Sequence, residues 1–200
     1  MRDEGVIKFE CFWEKSKPLP ERDLGDLIRI RKELFGLALI GVYPDGIGYG
    51  NLSLRDKKHP GQFIITGSQT GHLKDAGPEH FALVTGYDIA RNRVECKGPV
   101  KASSESLTHA MIYEIFPRMH GIIHVHSHEM WQRLQGKVPT TSAEVPYGTP
   151  EMAGEMKRLA SGGHLSQDRI LVMAGHEDGV ITFGKDLMAA RKVLLSFLTP

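Results

Sequence analysis

Side chains alternate faces along a β-strand, so GIIHVHSH at residues 121–128 sets His124 and His126 on one side and Ile123 and Val125 on the other. The apolar side demands a packed layer. The histidine side carries two imidazoles two residues apart, which is the geometry of two ligands on one metal. Neutral imidazole is a preferred donor for zinc and its first-row neighbours, and a catalytic site of this kind takes three protein ligands plus an open position. A third donor therefore has to come from elsewhere. On a half-exposed strand such histidines are also satisfied by water or by a neighbouring carbonyl. Crowding favours the metal: His120, His124, His126 and His128 share one short segment, and His176 stands in a second strand context, ILVMAGHEDGVITFG. Several imidazoles on one sheet face are costly to bury without a shared purpose.

About twenty residues upstream, Ser103-Ser104-Glu105 opens a predicted helix whose apolar positions Leu107, Ala110, Met111 and Ile115 recur at helical spacing until Pro117 stops it. A serine pair at a helix start is ordinarily a cap. It is also a good phosphate site, because unsatisfied N–H groups and the positive end of the helix dipole point out of the same place. Glu105 has an equally plain reading as a first-turn acid favoured by that dipole.

Two hundred residues with 40% hydrophobic content fit one domain with a sizeable core, residues 1–200. The 25 Lys and Arg against 24 Asp and Glu leave no electrostatic case for nucleic acid or for an anionic membrane as a partner. Cys11 and Cys96 lack metal-ligand spacing, and so sparse a pair reads as reduced, apolar fillers of a cytoplasmic protein. The N-terminal MRDEGVIKFECFW holds no sustained apolar run, and no segment reaches the roughly 18 consecutive apolar residues of a membrane span.

Along the chain, VIKFECFW places Ile7, Phe9, Cys11 and Trp13 on one side of a half-buried strand, or of an arm packing on a partner subunit. Pro20 suits the first turn of a helix running to about Gly41, with Leu24, Leu27, Ile28, Leu34, Phe35, Ala38 and Leu39 as its stripe. After the turn VYPDGIG, a strand over residues 48–55 puts Asn51 and Ser53 on one face and Leu52 and Leu54 on the other. FIITGSQTG is a strand opening into a loop of glycines and hydroxyls, suited to turns and to presenting N–H groups to an anion. Residues 81–88 and 91–98 read as two strands joined by a tight turn. Residues 131–148 read as a surface connection. A helix then starts at Pro150 with Met152, Met156 and Leu159 buried, and strands flank His176 before a final amphipathic helix over 186–198.

GNLSLR, ITGSQTG, SSESLTHAMIY, HVHSH, PYGTPEM and GHEDGVITFG, in that order and followed by a helix, resemble the class II aldolase/adducin family across most of residues 24–198. The ordered set is far more specific than any one piece. The resemblance implies an α/β fold, a three-layer α/β/α domain with a mostly antiparallel central sheet, assembled as a homotetramer with sites between subunits. It implies zinc, or another divalent metal such as Mn2+, Fe2+ or Co2+, on His124, His126 and His176. Glu105 then becomes the catalytic carboxylate. Asn51, Thr70, Gly71, Ser103 and Ser104 become the phosphate pocket. The implied activity is carbon–carbon bond cleavage of a small phosphorylated keto sugar through an enediolate. A sugar-phosphate epimerase or other lyase on the same site, and a non-catalytic adducin-like binding module, are the alternatives.

Three departures qualify the match. ITGSQTG is two residues longer than the family's aldolase loop, so Thr66 and Gly67 compete with Thr70 and Gly71. The glycine that normally follows the third histidine comes two residues later, at Gly179, which makes Asp178 a substitute candidate for the ligand. The sequence ends at Pro200, short of a family tail whose tyrosine assists from a neighbouring subunit, so that role falls to another residue or is absent.

Overall fold

The computed structural model describes residues 6–198. Within them the strands are β1 (Glu10–Lys15), β2 (Gly41–Val42), β3 (Gly48–Tyr49), β4 (Asn51–Arg55), β5 (Phe63–Thr66), β6 (Phe81–Asp88), β7 (Arg93–Gly98), β8 (Gly121–His126), β9 (Ile170–Val172) and β10 (Gly179–Gly184). The helices are α1 (Gly25–Gly36), α2 (Ser106–Ile115), α3 (His128–Leu134), α4 (Pro150–Ser161), α5 (His164–Asp168) and α6 (Leu187–Ser196).

Alternation along the strands decides the layers. On β8, Ile123 and Val125 join an apolar cluster with Leu27 and Leu34 of α1, Met130 of α3 and Leu194 of α6. Ile122, from the opposite face, joins Leu107 and Met111 of α2, Met152 and Met156 of α4 and Leu165 of α5. Each fully buried aliphatic side chain contributes about 2 kcal/mol relative to exposure, so neither face of the strand can be uncovered cheaply. The result is the expected three-layer α/β/α arrangement. Eight strands form the central sheet in the order β1-β7-β6-β5-β4-β8-β10-β9, and β2-β3 is a separate ribbon. Within the central sheet, β1 on β7 is parallel and the other pairings are antiparallel.

Several local expectations change. The helix expected to reach Gly41 stops at Gly36, because Ala38 adopts φ 56°. Ala38 N then donates to Phe35 O and Leu39 N to Leu34 O, the paired bonds of a Schellman cap. Ala38 is exposed while Leu39 and Ile40 turn inward. The first helical turn at Glu21–Asp23 is 3-10 rather than α. The supposed surface connection starts later, since α3 reaches Leu134. Ser127 caps that helix by accepting from Met130 N, and Met130 and Leu134, four residues apart, anchor it in the core. The N-terminal strand runs over Glu10–Lys15, with Phe9 buried and Phe12 on the exposed side.

Candidate metal centre

The central position of β8, between β4 and β10, buries its histidines. His124 pairs in register with Asn51 on one side and Ile181 on the other, and His126 pairs with Gly179. His176 comes from the turn between β9 and β10, closed by His176 N donating to Met173 O and Gly179 N donating to His176 O. The three rings form a near-equilateral triangle, with centroids 4.9, 5.1 and 4.8 Å apart. One nitrogen from each lies within 4.8 Å of the other two. His124 Nε2 and His126 Nε2 face each other at 3.1 Å. Either a proton or a cation has to stand between two such lone pairs. Burial, followed by the neighbouring rings, drives the His124 pKa well below its ordinary value, which keeps that imidazole neutral and able to donate to a metal. A Cβ at Gly179 would stand 3.0 Å from His176 O, 3.2 Å from the His176 ring and 3.3 Å from His124 Cε1, so any larger residue crowds this floor and pushes on both rings. Three buried imidazole nitrogens around one point fit a zinc-like divalent ion.

Glu105 sits one residue before α2 and is buried, with Oε1 3.3 Å from His176 Nδ1. The expected helix start at Ser103 is instead a turn: Ser106 Oγ donates to Ser103 O at 2.6 Å, and α2 proper begins at Ser106. This turn holds the carboxylate against the imidazole cluster. Asp178, the substitute candidate, is not in the triangle. Its Oδ2 accepts from Tyr43 at 3.1 Å and its Oδ1 meets His128 Nδ1 at 2.8 Å.

Asn51, Ser103 and Ser104 are all buried on the α2 side of the sheet. Asn51 Oδ1 has no hydrogen-bond partner among the described residues. The glycine loop divides in two. Its first half runs beside the serine pair, with Gly67 bridged to Ala102, Ser68 N donating to Lys101 O and Ser103 N donating to Thr66 O. Its second half turns back. Thr70 Oγ1 donates to Gly67 O at 2.8 Å, and Gly71 lies on the β2-β3 ribbon, where a Cβ would overlap Gly41 O and reach 2.8 Å from Gly48 Cα.

Four side chains here had no sequence-level assignment. Arg31, fully buried, donates to Thr70 O at 2.6 Å and to Leu73 O at 2.5 Å, pinning the glycine loop to α1. Its spacing between Leu27 and Leu34 was the available signal. Tyr147 stacks on His176, centroids 4.5 Å apart and planes 26° off parallel, and Lys8 Nζ stands 3.9 Å from the centroid of the tyrosine ring. Tyr43 and Tyr49, brought by the β2-β3 ribbon, pack on His126 at 5.9 and 5.3 Å. No local pattern marks a tyrosine that meets a histidine 83 residues away.

Residues 45–197 match the Class II Aldolase and Adducin N-terminal domain family, and the chain belongs to it. It is an aldolase-like enzyme of that family. Among solved structures it is similar to L-fuculose-1-phosphate aldolase from Thermus thermophilus, with 21% identity, TM-score 0.62 and coverage of 89% of this chain and 90% of that one. A sugar-phosphate aldolase from Thermotoga maritima aligns at 16% identity, TM-score 0.64, over 88% and 90% of the two chains. The Klebsiella pneumoniae protein YgbL, described with aldolase, epimerase and decarboxylase as options, aligns at 22% identity, TM-score 0.63, over 89% and 86%. At these identities the likeness is one of fold. Among the described residues no helix is long and apolar enough to cross a membrane.

Proposed function

We propose that this chain is a divalent-metal-dependent aldolase that breaks a carbon–carbon bond in a small phosphorylated keto sugar. The observation that carries the reading is the convergence of three buried imidazoles with a buried carboxylate 3.3 Å from one of them. His124, His126 and His176 would hold zinc, with Mn2+, Fe2+ or Co2+ as other occupants that suit imidazole donors. When bound, the metal supplies Lewis acidity toward the substrate's oxygens.

The chain's own groups do the rest. Glu105, fixed by the turn before α2, accepts and returns the proton that bond cleavage requires. Asn51, Ser103, Ser104 and the glycine loop through Thr70 and Gly71 receive the phosphate through neutral donors. Arg31 under that loop adds one buried positive charge, which accords with a protein of net charge +1 holding an anion locally. Tyr147 covers His176 and excludes water from that side. The family's habit of sharing sites between subunits supports a homotetramer, and the free thiols of Cys11 and Cys96 accord with a cytoplasmic location.

A sugar-phosphate epimerase is the second reading, favoured by the YgbL likeness and served by the same groups. Elemental analysis should find about one divalent ion per chain, lost in His124→Ala, His126→Ala and His176→Ala. Ketose 1-phosphates and pentulose 5-phosphates are then offered to the loaded protein, with cleavage and epimerisation followed together. Cleavage that falls about 10²–10⁴-fold in Glu105→Gln, with metal retained, supports the aldolase. Epimerisation without net cleavage supports the second reading. A metal-loaded protein that turns over none of them points to an adducin-like binding role.

A further inference from the structure

Resting on the metal reading above, we infer that Tyr43 and Asp178 are positioning residues that set the tautomer and orientation of His126 as a metal ligand. Counting hydrogens fixes the tautomer. Tyr43 has one hydroxyl hydrogen, and its oxygen stands 3.1 Å from Asp178 Oδ2 and 2.7 Å from His126 Nδ1. A carboxylate oxygen only accepts, so the hydrogen goes to Asp178. Tyr43 then meets His126 with a lone pair, and His126 Nδ1 has to be the donor. A neutral imidazole protonated on Nδ1 carries its free pair on Nε2. That nitrogen is the one turned to His124 Nε2 at 3.1 Å, inside the triangle with His176.

Asp178 is itself gripped from the far side. Its other oxygen meets His128 Nδ1 at 2.8 Å, with the His128 side chain 58% exposed and the Asp178 side chain 10% exposed. The result is a line of polar contacts from solvent through His128, Asp178 and Tyr43 to His126. Asp178 holds φ 67°, a left-handed conformation that aspartate tolerates better than most residues. The β2-β3 ribbon supplies the other partner. Tyr43 N donates to Ile47 O, and the Tyr43 ring packs on Tyr49 at 4.5 Å, so the hydroxyl is presented by a closed turn. Partners of this kind raise ligand basicity and fix ring orientation, and removing them typically costs about 10–100-fold in metal affinity.

The test is Zn2+ and Co2+ affinity by competition with a chromophoric chelator, for the wild type, Tyr43→Phe, Asp178→Asn and the double variant, with the visible spectrum of each Co2+-loaded protein. Tyr43→Phe keeps the ring packing and removes only the hydroxyl. The expected loss is about 10–100-fold in affinity with a changed Co2+ spectrum, while thermal unfolding in EDTA stays near wild type. Asp178→Asn should also weaken binding, because its amide can face Tyr43 with N–H groups and turn the tyrosine hydrogen onto His126. The double variant should bind no worse than Tyr43→Phe, since Asp178 acts through the tyrosine. A merely structural pair would lower unfolding temperature and leave the spectrum alone. Tyr43→Phe affinity within about twofold of wild type, or losses that multiply in the double variant, would overturn the inference while sparing the metal reading. A wild type that takes up no metal would overturn both.

Discussion

His109 lies on the same face of α2 as Glu105, one helical turn on, and is fully buried. Its Nδ1 is 2.7 Å from Ser53 Oγ, which is 2.8 Å from the Tyr113 hydroxyl, which donates to His120 O at 3.2 Å. Followed from that last carbonyl, Ser53 donates to Tyr113 and His109 Nδ1 donates to Ser53, while His109 Nε2 is buried with no partner among the described residues, so a second N–H on the ring would go unsatisfied. Burial pushes the His109 pKa down to about 3 from an ordinary 6.5. Between those two values the unfolded chain binds a proton that the folded chain refuses. The stability linked to His109 is therefore complete above about pH 6.5 and is lost as pH falls from there toward about 3, at a limiting slope of about 1.4 kcal/mol per pH unit. By about pH 5 the loss is about 2 kcal/mol. His109→Asn keeps a donor for Ser53 and does not titrate. Urea unfolding of metal-free protein, at about pH 7.5 and about pH 5 in EDTA, should show the wild type losing about 2 kcal/mol more than the variant across that interval. His124 titrates in both proteins, and burial, the largest cause of its shift, is common to both. Parallel pH dependences would refute the reasoning, whatever the absolute stabilities.

Gly71→Ala should destabilise by about 1–3 kcal/mol in the same assay, because the added carbon meets the backbone of Gly41, Gly48 and Tyr49, which cannot rotate away. Gly154→Ala is the matched control, since its Cβ would meet nothing within 4 Å on a helix, and it should be neutral or stabilising by up to about 1 kcal/mol. Arg31→Met should lower stability by about 2–4 kcal/mol by leaving Thr70 O and Leu73 O without their charged donor, and hydrogen exchange should accelerate first in residues 67–73. Loading with Zn2+ at about a hundredfold over its Kd should stabilise the wild type by about 2.7 kcal/mol and His176→Ala by much less, read as an unfolding-temperature shift. Light scattering at micromolar concentration should report a tetramer, and a clean monomer would count against a site shared between subunits.

Taken residue by residue, the chain already contained its layers. The alternation in GIIHVHSH assigns Ile123 and Val125 to one side and the two histidines to the other, and the spacing of Leu107, Ala110 and Met111 builds the helix that covers them. These are periodic, local properties, and they hold wherever a segment lies. The ordered motifs likewise placed His124, His126, His176 and Glu105 as a set before any coordinates. Local pattern was weakest at ends, where one residue's backbone decides: Ala38 at φ 56° stopped a helix whose apolar stripe continued through Leu39. What only tertiary structure decided is which distant groups meet. Tyr43 reaches His126 because a two-residue ribbon folds across β8, Arg31 reaches Thr70 because α1 packs under the glycine loop, and Asp178 leaves the imidazole triangle because Tyr43 and His128 hold it elsewhere. A hydrogen bond across 83 or 135 residues depends on the packing of whole elements, and no period or motif in the sequence encodes its two ends together.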